Sequence, residues 1–234
     1  MRVLVLAVLA SSLGCGMPMT AQTRRSFPIE VVVVAPTAAL DTGWTVTDLA
    51  GTASLSSLRF FTGKVLIGQR FDPMSWLIST AHAHPGHYIA GEALGEVLAP
   101  IDVDLALRAP RAWGTANAVT GSYGSAQLTY AMTGLRITGT ATKTGQTVKF
   151  DTGLFKPPAA LEGITFDREV DSAPGTVRMS IDLGVMLSRV EFDKSNAMPG
   201  PSGVVVFDPV SPASNGFDRG VEDTGSYQLS WQSN

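Results

Sequence analysis

Apolar and polar residues alternate with a period of two over much of this chain, the pattern of strands with one face in a core and one in water. Ala126, Leu128, Tyr130 and Met132 fall on one face of a run, with Ser125, Gln127 and Thr129 on the other, and Leu135 and Ile137 continue it beyond Gly134. Val148 and Phe150 alternate with Thr147 and Lys149, and Val177, Met179, Ile181 and Leu183 with Arg178, Ser180 and Asp182. Such alternation is the antiparallel habit. Ile29 to Val34, with only Glu30 not β-branched, is instead a run dense enough to predict a strand buried on both faces. Shorter strands are predicted at 42–47, 53–61, 64–67, 204–207 and 227–231, with Gly43, Gly51 and Gly63 punctuating the first of them. From Leu183 the period changes: Leu183, Met186, Leu187 and Val190 recur at helical spacing, and Asp182 is placed to cap a short helix. Residues 209–223, rich in Pro, Ser, Asp and Gly, read as a long loop. The fold class expected is all-β, an antiparallel β-sandwich with one short helix and long loops.

Composition agrees. Among 234 residues there are 24 Gly and 14 Pro, while only 16% are charged, which favours many turns and short strands over long helices. The net charge of -3, with Lys and Arg scattered and no basic stripe, gives no electrostatic reason to expect nucleic acid.

The amino terminus carries its own signal. Met1-Arg2 precedes a short apolar run, Val3 to Ala10, and then Ser11-Ser12-Leu13-Gly14-Cys15. The run is too short for a permanent membrane span and suits the apolar region of a secretory signal. A small residue directly before Cys15 resembles the bacterial lipobox, in which the cysteine is lipidated and becomes the new amino terminus. Ser12 stands where a leucine is usual, with Leu13 one place later. Residues 1–14 are therefore expected to be a lipoprotein-type signal peptide, 15–26 a flexible tether, and 27–234 a single β-sandwich domain beginning at Phe27-Pro28. The protein would be lipid-anchored in the cell envelope, in the periplasm or on the outer membrane. Gly16 lacks the acidic signal that retains some lipoproteins at the inner membrane. The alternative is cleavage further on, near Ala21, giving a plainly secreted protein. Cys15 is the only cysteine, so the mature fold has no internal disulfide.

All three histidines lie in Ala81-His82-Ala83-His84-Pro85-Gly86-His87-Tyr88. On a strand from Leu77 to His84, His82 and His84 project from one face. Pro85-Gly86 is a turn signal that folds the chain back and brings His87 to the same place. Three neutral imidazoles suit a borderline ion, copper or alternatively zinc or iron, and suit calcium or magnesium poorly. Met74 shares the parity of the histidine pair and could add a thioether, with Trp76 beside it. Tyr88 and Glu92 stand close enough in sequence to support the ligands, and Glu96, Asp102 and Asp104 follow downstream. The competing interpretation needs no ion: histidines beside a Pro-Gly turn also order a loop by hydrogen-bonding to backbone.

Other chemistries lack their residues. No Gly-x-Ser-x-Gly elbow, no phosphate-binding glycine loop and no His-Glu-x-x-His motif occurs, and no histidine lies outside the cluster to serve as a distant base. Asp102 and Asp104 share a strand face, a pattern more typical of a solvated sheet surface than of an acid–base pair. A binding protein rather than an enzyme is expected, with a membrane contact through Cys15 and an envelope protein as a further partner.

Taken together, the leader, the His-x-His segment, the stretch from Val177-Arg178-Met179-Ser180-Ile181-Asp182-Leu183 through Val190, and the closing Gly216-Phe217-Asp218-Arg219-Gly220-Val221 to Trp231 resemble MbnP-like periplasmic proteins. The resemblance implies a copper-associated β-sandwich in which histidines hold the metal beside an oxidatively modified tryptophan. The matching positions are His82, His84 and His87, with Trp76 the nearby tryptophan. It precedes the histidines here, in a more compact segment than that family leads one to expect.

Overall fold

A computed structural model describes residues 22–63, 65–66, 87–88, 90–154 and 160–233. The leader, Cys15 and the tether up to Ala21 lie outside this set. The elements run β1 (Arg24–Val34), β2 (Thr45–Phe61), β3 (Val65–Leu66), β4 (His87–Tyr88), β5 (Ala93–Val97), β6 (Ile101–Asp104), β7 (Arg111–Val119), β8 (Gly121–Lys143), β9 (Gln146–Gly153), β10 (Leu161–Val170) and β11 (Gly175–Asp182). They continue with α1 (Leu183–Leu187), β12 (Val204–Val206), α2 (Pro212–Glu222) and β13 (Tyr227–Ser233). Among the described residues no helix is long and apolar enough to cross a membrane.

Eleven strands form one sheet in the order β12-β9-β8-β2-β5-β7-β1-β11-β13, with β10 paired to β8 and β6 to β2. β3 and β4 form a separate two-stranded ribbon. The mainly β class expected from the alternation is present, but the sheet is mixed: β1 pairs β11 in parallel, and β12 pairs β9 in parallel. The expectation of a purely antiparallel arrangement is corrected here. Alternation has the same period in both kinds of ladder, so it carries no information on strand direction.

β2 and β8 are the long members, at 17 and 23 residues. Each changes partner part-way. The Leu58–Phe61 end of β2 pairs β5, while Thr52–Leu55 pairs β6. The Gly121–Leu128 part of β8 pairs β10, while Arg136–Lys143 pairs β9. The change on β8 coincides with a bulge: Tyr130 faces Leu55 and Leu135 faces Ala53, so residues 131–134 loop out opposite one residue. Tyr130 and Leu135 stay buried, whereas Met132 is 98% exposed. The extra residues break the count that put Met132 on the buried face.

Two further expectations shift. β1 begins at Arg24, so the last three residues of the expected tether are strand, and the Arg25 guanidinium donates to the Ala173 carbonyl at 2.6 Å. Ile29, Val31 and Val33 are buried, while Val32 is half-buried and Val34 exposed, so this strand alternates instead of burying both faces. The strands expected at 42–47 and 53–61 are one strand that runs through Gly51.

Two aromatic clusters fill the core, one toward each end of the β2/β8 pair. Phe27, Phe60, Tyr123 and Phe166 meet with centroids 5.4–6.3 Å apart, mostly edge to face, and Trp231 joins them through Phe27. Trp44, Phe150, Phe192 and Phe207 form the second, at 4.8–6.0 Å. Each such ring pair contributes roughly 0.5–1.5 kcal/mol beyond its buried area. The Arg168 guanidinium lies 5.9 Å over the Trp231 ring, so β10 and β13 meet through side chains.

α1 begins as expected, with the Asp182 carboxylate accepting from the backbone N–H of Gly184 (2.8 Å) and Val185 (3.2 Å). The long loop expected at 209–223 is instead mostly α2, so the described residues hold two α-helices and not one. Ser211 Oγ accepts from Ser214 N–H at 3.1 Å, and Pro212 opens the helix where its missing N–H costs nothing. Ala213, Gly216, Phe217, Gly220 and Val221 make its buried face. A Cβ on Gly220 would meet the Met186 backbone, so the small residues that resemble loop composition are what lets the α2 axis approach α1.

Behind α2, the Tyr227 hydroxyl donates to the Val221 carbonyl at 2.9 Å and lies 2.8 Å from the Tyr130 hydroxyl. A phenol has one proton, so Tyr130 must donate to Tyr227. Burial pushes both phenols well above the usual tyrosine range, so the pair stays neutral. Tyr227→Phe strands two buried groups, the Val221 carbonyl and the Tyr130 hydroxyl, and is expected to cost about 2–3 kcal/mol, against about 1 kcal/mol for Tyr130→Phe. Equilibrium urea unfolding of the two variants checks the order, and equal costs would contradict this proton assignment.

The β8–β9 hairpin closes through the two residues Thr144 and Gly145, with φ of 36° and 80°, between the paired Lys143 and Gln146. Two positive φ angles define the turn type that asparagine–glycine fits best, and a β-branched residue is strained in the first place. Thr144→Asn is expected to stabilise the protein by about 1 kcal/mol, read as a rise in Tm; an unchanged or lower Tm would count against the strain.

Candidate functional site

In chain order the histidine segment falls between β2 and β5, and the described residues on either side of it pair with each other. Beyond the pairing of Phe61 with Ala93, Thr62 N–H donates to the Glu92 carbonyl at 2.9 Å, Glu92 N–H donates to Thr62 Oγ1 at 2.9 Å, and Gly63 N–H donates to the Ala90 carbonyl at 3.3 Å. Ser125 Oγ, itself buried, donates to the Gly63 carbonyl at 2.5 Å and ties the base to β8. The ladder then resumes as β3/β4, with Val65 opposite Tyr88 and Leu66 opposite His87. His87 and Tyr88 therefore sit on the returning arm of a hairpin whose stem extends the β2/β5 ladder. His82, His84, Met74 and Trp76 lie outside the described residues, as does the strand expected at 77–84.

Gly91 makes this base possible. Its φ is 64°, and a Cβ there would fall against Thr62 Oγ1 and 2.6 Å from Gly63 N. Both the backbone conformation and the close approach demand glycine.

The acidic residues downstream are at very different distances from the stem. Glu92 is exposed, at the foot of the hairpin, its backbone fixed on both sides by Thr62. Glu96 pairs with Arg59 at 3.2 Å on the neighbouring strand. Asp102 accepts from Ser54 Oγ at 2.6 Å, and Asp104 accepts from the Ala106 N–H at 2.9 Å. Ile101 and Val103 of the same strand are buried while Asp102 and Asp104 are exposed, so the aspartates form a solvated face. Asp104 pairs with Thr52, ten positions down β2 from Thr62, which is about 30 Å of strand. Of these four, Glu92 is thus the one beside the stem.

Elsewhere the perturbed groups among the described residues belong to packing or, at Arg136 and Lys194, to surface ion pairs. Burial raises the Tyr123 phenol to about 12, and its hydroxyl donates to the Val119 carbonyl at 2.6 Å. Burial, and then the charge of Glu222 one turn on, lift Asp218 above the usual carboxylate range. Among the described residues no three His, Cys, Asp or Glu side chains are grouped to hold an ion. Compared with known proteins, the chain matches no family model, no curated protein and no solved structure.

Gly91→Ala is expected to destabilise the domain by about 1–3 kcal/mol, from strain at positive φ and the clash with Thr62. The loss should localise: amide exchange at Thr62, Gly63 and Glu92 should accelerate before exchange in β8. Uniform acceleration throughout the sheet would mean that the base is not a separate clamp.

Proposed function

We propose that this is an exported, lipid-anchored β-sandwich protein of the cell envelope that captures or buffers a metal ion, copper foremost, through His82, His84 and His87. The observation that carries the reading is the confinement of every histidine in the chain to six residues ending on the returning arm of a hairpin with a fixed base. A base held by backbone bonds and by Ser125 fixes the backbone from which the segment bearing His87 returns to the domain. Glu92 at its foot is a candidate to orient a ring N–H or to complete the coordination. Met74 is a candidate thioether ligand, and Trp76 and Tyr88 are candidate aromatic neighbours. The resemblance to MbnP-like proteins favours copper over zinc or iron. The role is binding, not catalysis, with an envelope partner that supplies or receives the ion. Lipidation at Cys15 would anchor the protein in the cell envelope, with the outer membrane as the membrane expected and a plainly secreted protein as the alternative.

Protein purified without an affinity tag is expected to carry stoichiometric copper, and His84→Ala is expected to lose it while the far-UV circular dichroism is unchanged. Because each ligating imidazole must be neutral, protons compete with the ion: affinity should hold above the ordinary imidazole pKa of about 6.5 and fall as the pH drops below it. If the purified protein holds no tight ion at neutral pH and copper titration shows no difference between it and His84→Ala, the histidines only order a loop and the protein is a structural or interaction lipoprotein.

A further inference from the structure

The sheet register fixes where the amino terminus leaves the domain relative to the hairpin. Phe60 pairs with Gly95, Gly95 with Ala118, and Ala118 with Arg25, so Arg25 lies on the same cross-strand row as Phe60, three strands away. At about 4.8 Å per strand, that is about 15 Å around the sheet. β1 runs away from this row into the domain, so the chain preceding Arg24 departs from the end at which the hairpin stem emerges. The turn at 171–174 is at the same end, held to Arg25 through the Ala173 carbonyl. The opposite end carries the Thr144-Gly145 turn and the helices: Thr45 pairs with Thr142, 15 positions from Phe60 along β2, or about 50 Å of strand. α1 follows directly from Asp182, which pairs with Val34 at the far end of β1, and α2 packs on α1.

From Cys15 to Arg24 there are nine residue-to-residue steps, a reach of at most about 30 Å and a typical span of about 15–18 Å for a flexible chain. We infer that the end of the fold carrying the β3/β4 stem is its membrane-facing end, held against the lipid surface by this short tether. The inference rests on the reading of Cys15 as a lipid anchor. A tether this short cannot carry the domain round so that the helical end meets the bilayer while the stem end points away, because β2 alone is longer than the reach. Ion exchange at the hairpin then takes place beside the lipid headgroups, while α1, α2 and the β8–β9 turn face the aqueous space.

The test uses the full lipidated protein, in which Cys15 is blocked by its acyl chains and a single introduced cysteine is the only free thiol. A donor dye is attached at Ser172→Cys, in the turn near Arg25, or at Gln146→Cys, beside the β8–β9 turn; both residues are exposed. Each protein is incorporated into vesicles of phosphatidylethanolamine and phosphatidylglycerol that carry a headgroup acceptor dye. Energy transfer is expected to be about twofold or more stronger from residue 172 than from residue 146, given the length of β2. With Cys15→Ser, transfer from both should vanish and the protein should stay in solution. Vesicle-bound protein with equal transfer from the two sites, or more from residue 146, overturns the orientation and leaves the anchor standing. Protein that binds vesicles equally well with Cys15→Ser, or that never binds them, removes the anchor and the orientation with it.

Discussion

The antiparallel ladder between β2 and β8 is the constraint on which the remaining structure depends. It runs from Thr45 opposite Thr142 to Phe61 opposite Ser125, and every other part of the large sheet connects to one of these two strands directly or through one neighbour's pairing after another. Because both strands outlast any single partner, each recruits a different neighbour at each end. The bulge at 131–134 gives β8 the local bend that this exchange requires. Two aromatic clusters follow, one under each set of partners, with the Tyr130–Tyr227 pair joining β8 to the strand that follows α2. Loss of a ring such as Phe60 or Phe150, both buried, would cost about 3–5 kcal/mol, a large part of the stability of a domain this size.

Most of the strand set was legible because burial on one face leaves a period-two trace. β11 is the clearest case: Val177, Met179 and Ile181 are buried, and the change of period at Leu183 is a helix capped by Asp182. What failed did so for identifiable reasons. Strand direction leaves no mark on alternation, so the parallel pairs β1/β11 and β12/β9 were invisible. Bulges add residues without changing composition, so Met132 was counted onto the wrong face. α2 was hidden because helix packing at backbone contact selects Gly and Ser, the same residues that mark loops; the better signal was Ser211-Pro212 followed by Ala213, Phe217 and Val221 at helical spacing.

For the candidate site, the histidines were legible as a cluster but their setting was not. Nothing in the sequence alone distinguished Glu92 from Asp104, since both follow the histidines within a short stretch. The ladder separates them: one is at the foot of the hairpin and the other is ten β2 positions away, on a solvated strand face. Gly91 could have been noticed as a glycine between Ala90 and Glu92, but its reason, the approach of Thr62 and Gly63, exists only once β2 and β5 are paired.

This arrangement also bears on how an ion at the hairpin would relate to folding. In small zinc domains the ion closes the core, and without it the chain unfolds. Here the described core is complete below the stem: Phe27, Phe60, Tyr123 and Phe166 are buried against one another, and the backbone groups of Thr62, Gly63 and Glu92 find partners within the base itself. On the metal-binding proposal, the free energy of coordination would therefore not be needed to form the domain. It would then act outside this core, so the ligands could be tuned without altering the stability of the fold beneath. An ion that must be taken up and handed on would be best held in that way, because its release would leave the sheet and the β3/β4 stem intact.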